Sequence, residues 1–467
     1  CRLAMEIHLT PFDRLIVIGY FLILLIIGFR SRTKSGMEEF FLAGRSLTIP
    51  AFVATLVSSW YGGILGIGEF IYRYGILNWF AMGLPYYIFA LLFAVFIAGR
   101  IREKKFITIP DLIFSDYGNL PGLLSSFLTF ILVTPAPYYF MIASLVSVIF
   151  RIPFWSGFLA GALVSTIYIF KGGLRSVVKT DIFQFLLMFA GFILIFILCV
   201  VKLGGFSFLR DNLPPAHLSP LGGQKFSFLL VWFFIALWTL VEPNFYQRCY
   251  AAKSPSVAQK GIVISILFWM LFDFLTLSTG LYARAYFPNI EPSLSYIYLG
   301  DVILPAVLKG VFIVSILATI MSTLDSLSFV SAITFSRDIV WRLNPGLNED
   351  NTTGLSKIGI LFTIILSAVL IRFFPSVVNI WYTVGTLVIP SLLFPVVATL
   401  FGRGFFSRTG VIIHLTSPFC ISLGWLIYGY NNSGYPLGIE PFFAGLGVSV
   451  IIVIFDRVAH KNGNLRG

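Results

Sequence analysis

Apolar stretches follow one another along nearly the whole chain, separated by short segments rich in Arg, Lys, Gly and Pro. A helix that crosses a bilayer needs about 20 mostly apolar residues, because in lipid every backbone N–H and C=O must find its partner within the segment. Thirteen stretches meet that need: 15–29, 47–70, 76–98, 123–150, 153–170, 182–201, 226–245, 261–282, 311–335, 355–371, 377–401, 411–428 and 441–455. The pattern predicts an all-α integral membrane protein with thirteen transmembrane helices. Its longest polar connections, 204–225, 287–301 and 337–357, are too short to enclose a core of their own, so 1–467 is expected to form a single transmembrane domain.

Composition agrees. Hydrophobic residues make up 58% of the chain and charged residues 11%, and the mean hydropathy is +0.93. Soluble domains carry about 25% charged residues. The net charge of +12 has a local explanation, because cytoplasmic loops collect Lys and Arg. With the loop after the first span inside, that side holds Arg30, Arg32, Lys34 and Arg45; Arg100, Arg102, Lys104 and Lys105; Lys171, Arg175 and Lys179; and Arg248, Lys253 and Lys260. It continues with Arg337, Arg342 and Lys357; Arg403 and Arg408; and Arg457, Lys461 and Arg466. The other basic residues, such as Arg73, Arg284 and Lys309, fall singly or in pairs opposite. The N-terminus is therefore expected outside and the C-terminus in the cytoplasm. Anionic lipid accounts for the basic bias, and no nucleic acid is expected as a partner.

Cys1, Cys199, Cys249 and Cys420 lack metal or disulfide spacing, and His8, His217, His414 and His460 are scattered, so no metal centre other than a sodium site is expected. The first span lacks a small-residue cleavage site and is expected to be retained, with Met5 as the expected start.

Polar chemistry concentrates in three spans. The second contains Ser58, Ser59, Trp60, Tyr61, Gly62 and Gly63, then Gly66 and Gly68; the seventh contains Trp238, Glu242, Pro243 and Asn244. Such breaks at membrane depth are tolerated only where protein or a water-filled cavity surrounds the freed backbone. Five spans separate the two breaks, as an inverted five-plus-five repeat would require. Tight helix packing at the glycines and a plain proline kink are the bland alternatives. The ninth span carries Thr319, Ser322, Thr323, Asp325 and Ser326. A carboxylate among hydroxyls in a membrane is costly unless it meets a cation, and a hard cation such as Na⁺ takes oxygen ligands. Serine and threonine bonding back to their own helix explains the hydroxyls but not Asp325.

Four stretches then resemble the sodium/solute symporter family: FLAGRSL at 41–47, GGLRSVVKTDIFQ at 172–184, QRCYAAKSP at 247–255, and ATIMSTLDS at 318–326 followed by Ser336, Arg337 and Asp338. The resemblance implies a leucine-transporter-like fold. Its ten core helices would form two inverted repeats, about 47–201 and 226–401, with one peripheral helix before (about 12–29) and two after (411–428 and 441–455). It implies Na⁺ as coupling ion, no other cofactor, a small-molecule solute, a lipid bilayer as surroundings and a bacterial inner membrane as location, and it leaves the oligomeric state open, a monomer being compatible with it. Carried over by motif, Ser322 and Thr323 would give the sodium site side-chain oxygens, Thr319 a main-chain carbonyl, and Ser58 and Tyr61 carbonyls from the first break. Asp181 resembles a carboxylate used for an additional sodium or its exit, and with Asp325 and Ser326 it is expected to form a second cation site.

The solute pocket is expected between the breaks and the helices that cross them, with Trp60, Gly62, Glu69, Tyr138, Tyr139, Trp238, Glu242, Asp273, Trp381 and Tyr382 as candidates. Carboxylates and aromatic rings, with Arg248 placed toward the cytoplasm, favour a polyhydroxylated or amine-bearing solute over a simple anion. Sodium-coupled symport by alternating access is the expected function. A proton-coupled symporter using Asp181 and Asp325, or a transporter-derived channel or sensor, are the alternatives. An enzyme is not expected, since an intramembrane transferase would want a catalytic His or clustered acids at a membrane surface.

Overall fold

The computed structural model describes residues 7–31, 36–344, 346–348, 351–374, 376–402, 405–432 and 434–463. Cys1, Met5, Arg32, Lys34, Arg403 and Arg466 lie outside the described residues, as do the side chains of Lys171, His460 and Lys461. Among the described residues, eleven helices are long and apolar enough to cross a membrane. In chain order the long helices are α1 (Pro11–Arg30), α2 (Ile49–Tyr74), α3 (Trp79–Lys104), α4 (Asn119–Phe150), the shorter apolar α5 (Phe154–Ile167) and α6 (Gly172–Leu203). There follow α7 (Phe226–Ala251), α8 (Pro255–Tyr286), α9 (Leu308–Trp341), α10 (Thr352–Phe373), α11 (Val377–Phe401), α12 (Arg408–Asn432) and α13 (Pro441–Gly463).

The joint between α5 and α6 differs from the expectation of a polar loop. Helical hydrogen bonding runs on from Phe154 to Leu203 and is interrupted only at Gly173 (φ 52°, ψ −151°). A side chain rarely adopts that conformation, and a Cβ there would strike the Phe40 carbonyl. Asp181 consequently lies inside a helix and is fully buried, not at a loop edge.

α9 is the hub. Every residue from Phe312 to Thr334 is buried, and the helix packs against α1, α4, α6, α10 and the break in α2. Its start is tied to α1 through Asp13, whose Oδ1 accepts from the N–H groups of Val307 and Gly310 at 2.9 Å each. The Asp13 carboxylate also closes the capping box of α1 with Thr10. Peripheral helices show the opposite pattern. Leu15, Ile18, Leu22, Ile26 and Phe29 of α1 and Leu186, Ile193, Ile197 and Val201 of α6 project outward, as lipid solvent allows.

Both expected breaks are present. In α2 the first half ends at Ser58, a tight 3₁₀ turn covers Tyr61–Gly63, and the second half starts at Ile64. The glycines also permit close approach: a Cβ on Gly62 would collide with Thr323 and Tyr138, and one on Gly63 with Trp381. In α7 the helix tightens over Ala236–Val241 and stops at Glu242, whose backbone is extended (φ −73°, ψ 112°), before Pro243 opens the second half. The outer ends of the two broken helices meet: Leu47 and Ala252 form a parallel bridge, with Leu47 N on Ala251 O (3.1 Å) and Lys253 N on Leu47 O (3.0 Å). The Arg45 guanidinium closes the same end by donating to the carbonyls of Tyr250 and Lys105.

Candidate functional site

Where the α2 break faces α9 and α6, oxygen atoms gather. Ser322 Oγ lies 2.9 Å from Ser58 Oγ and 2.6 Å from Asp181 Oδ1, while Ser58 Oγ donates to the Ala54 carbonyl. A single Ser322 proton serves one acceptor at a time, so the cluster holds more acceptors than donors, the composition a hard cation satisfies. Thr323 Oγ1 accepts from Gly62 N–H at 2.9 Å and pins α9 to the break. Ser58, Ser322 and Asp181 are therefore brought together, with Thr323 next along α9 and turned to Gly62. Thr319 lies one turn earlier with its hydroxyl bonded to Ser315 O (2.7 Å), so its side chain is committed to its own helix. Tyr61 sends its hydroxyl to Trp269 O (2.9 Å).

Of the expected second group, Asp181 and Ser326 meet at the Arg248 guanidinium, while Asp325 bonds to Ser165. Asp325 Oδ1 accepts from Ser165 of α5 at 2.6 Å, whereas Ser326 Oγ accepts from Arg248 Nη2 at 2.5 Å. Arg248, which the charge alternation assigns to a cytoplasmic connection, lies within the second half of α7 and is fully buried. Its Nη2 lies 3.2 Å from Thr55 Oγ1 and 3.5 Å from Asp181 Oδ2, and its Nη1 donates to Asn244 Oδ1 (3.1 Å) and Gln247 Oε1 (2.9 Å). The Thr55 hydroxyl donates to the same Asp181 oxygen. Acceptors from α2, α6, α7 and α9 make the burial of a guanidinium tolerable.

On the other side of the break lies a cavity of about 130 Å³. Trp60, Tyr61, Tyr138, Trp238, Glu242, Asp273 and Trp381 line it, together with Thr323 of the oxygen cluster. Trp60 is its inner wall, with ring centroids 5.4 Å from Tyr86, 5.1 Å from Phe245 and 5.6 Å from Trp269. Glu242 has two roles. Its Oε1 accepts from Asn244 N–H at 3.2 Å, which caps the second half of α7, and it also faces the cavity. Asp273 accepts from the Tyr87 hydroxyl.

Three expected pocket residues lie elsewhere. Glu69 and Tyr382 line a second cavity of about 690 Å³, where Glu69 pairs with Arg73 (2.9 Å) and the Tyr382 hydroxyl donates to Glu440 Oε2 (2.6 Å). Glu69 sits well past the break on α2, and Tyr382 is one residue off the face that Trp381 presents. Tyr139 is fully buried with its hydroxyl 3.4 Å from Ser328 Oγ, because consecutive helical residues point about 100° apart. Gly62 stands at the edge of the cavity through its bond to Thr323. Sequence reasoning missed Asn78, Tyr86, Tyr87 and Trp269. Trp269 lies one turn before Asp273 on α8, a spacing that could have exposed it; nothing local connects Tyr87 to Asp273.

Two broken helices around a buried cavity, with an oxygen cluster against one break, define a helical membrane transporter. The chain belongs to the sodium:solute symporter family, whose sequence profile matches residues 40–405. It is 24% identical to the sodium/proline symporter of Staphylococcus aureus (strain NCTC 8325 / PS 47), over 95% of this chain and 92% of that protein. Its fold matches that of a Na⁺-coupled sialic acid symporter in a substrate-bound outward-open state, with a TM-score of 0.79 at 16% identity over 97% and 98% of the two chains. A more distant match is Mhp1, a nucleobase-cation-symport-1 family transporter, with a TM-score of 0.55 at 10% identity over 92% and 96%.

Proposed function

We propose that this protein is a sodium-coupled symporter of a small organic solute, polyhydroxylated or amine-bearing, working by alternating access. The family, and relatives described as sodium-coupled, support the coupling ion. The observation that carries the reading is that one helix break serves both ligands. Ser58 reaches the oxygen cluster with Ser322 and Asp181, while Trp60 and Tyr61 line the cavity. A cation that draws α2 toward α9 alters the wall of the cavity at once, which is the differential contact coupling requires.

In this reading Ser322 and Thr323 give sodium side-chain oxygens, and Ser58, Tyr61 and Thr319 give main-chain carbonyls. Asp181 borders the site and guards its exit. Thirteen helices span a bacterial plasma membrane, ten of them as two inverted repeats, with the N-terminus outside and the C-terminus in the cytoplasm. Uptake into proteoliposomes under an imposed sodium gradient tests it. Solute accumulation that ignores the sodium gradient would remove the assignment.

A further inference from the structure

Glu242 and Asp273 open into the same cavity, and each is 6% exposed. Nine Trp and Tyr side chains share the lining with aliphatic and small polar residues, and no Lys, Arg or His lines it among the described residues. Asn244 N–H donates to Glu242 and the Tyr87 hydroxyl to Asp273, with the Trp238 indole near the first acid and the Tyr61 hydroxyl near the second. A carboxylate has about four acceptor sites, so both retain capacity for a ligand. The nearest buried cation, Arg248, spends both terminal nitrogens on Asn244, Gln247, Thr55, Asp181 and Ser326.

The second cavity repeats the sign. Glu69, Glu291, Glu440 and Arg73 are the charged residues that line it among the described residues, and it meets the first at Trp232, which lines both. Two acid-lined cavities in series raise the local concentration of cations and repel anions. In the inner one, Trp60, Trp238 and Trp381 offer π faces to a desolvated cation.

We infer that the transported solute is an organic cation without a carboxylate, an ammonium or guanidinium whose charge is held between Glu242 and Asp273 and whose carbon skeleton lies against the indole rings. This rests on the symporter reading above and narrows its solute class. Any carboxylate on the solute would meet two acids and no basic side chain, so zwitterions are selected against as well as anions.

The test uses the purified full chain and compounds paired by skeleton: agmatine with arginine, putrescine with ornithine and 4-aminobutyrate, choline with glycine betaine, plus proline and sorbitol. Thermal shift is measured in sodium chloride and in potassium chloride. A cation is expected to bind at least tenfold more tightly than its carboxylate-bearing counterpart, and Glu242→Gln and Asp273→Asn are each expected to weaken it at least tenfold while stabilisation by sodium alone persists. Tightest binding by a carboxylate-bearing or neutral compound overturns the inference. So does a panel in which nothing binds although sodium stabilises the protein, or a cation bound equally by both variants. A cation that binds identically in both salts leaves the inference standing and removes the sodium-coupling reading instead. The wild-type comparison decides the matter even where a variant fails to fold.

Discussion

Asp181 and the pair Glu242 and Asp273 are buried acids on either side of the same helix break, and their surroundings differ. Asp181 meets a guanidinium and the hydroxyls of Thr55 and Ser322, all supplied by the protein. Glu242 and Asp273 meet aromatic rings and neutral donors. The first cluster is closed by its own charges, so a cation that enters must compete with Arg248 for Asp181. The second is left open toward a ligand. Burial alone therefore does not identify a binding carboxylate; what sets Glu242 and Asp273 apart is that neither makes a direct ion pair among the described residues.

The comparison breaks most sharply at Arg248. Arg248→Met is expected to cost about 3 to 5 kcal/mol of stability, because it strands the Asp181 charge in the bundle. Melting temperatures in sodium and potassium should diverge in this variant, since sodium can replace the lost positive charge. The double variant with Asp181→Asn should recover most of the loss, and a double variant as unstable as the single one would show that the two side chains are not a pair.

Glu242→Gln addresses the open side. Solute binding should weaken by about 1 to 3 kcal/mol, with stability close to wild type because Gln keeps the cap on Asn244. Isothermal titration reads it, and unchanged affinity would return Glu242 to a purely structural role. Ser322→Ala with Thr323→Ala is expected to raise the sodium concentration for half-maximal uptake about tenfold, equivalent to roughly 1.4 kcal/mol. An unaltered sodium dependence in the folded double variant would detach these hydroxyls from the ion. Tyr382→Phe should change solute affinity by less than about 0.5 kcal/mol, since its hydroxyl serves Glu440 in the other cavity. A larger loss would extend the binding region across Trp232.

Local signals carried much of this into the sequence. Gly62, Gly63 and Pro243 act on their own backbone, so both breaks could be placed without a structure. Trp60, Glu242 and Trp381 were found because they sit in or opposite those breaks. Long-range pairing was not legible. Arg248 reads as one of the cytoplasmic basic residues by its position after an apolar run, and acceptors from three other helices make its burial tolerable. Asp325 accepts from Ser165, a helix away, and no spacing rule connects the two. Glu69 and Tyr382 were misplaced because sequence gives a helix but not the depth or azimuth of each side chain once its neighbours have tilted it.

The short bridge between Leu47 and Ala252 makes the two interrupted helices a single lever. Its two backbone hydrogen bonds lie where the first half of α2 begins and the second half of α7 ends, so neither half-helix can pivot separately without parting them. Torque applied at one break is delivered to the other, and the wall carrying Trp60 swings together with the one carrying Glu242. Slow, matched deuterium exchange at the amides of Leu47 and Lys253 would be the signature of that yoke, and its loosening would let the cavity change shape without opening.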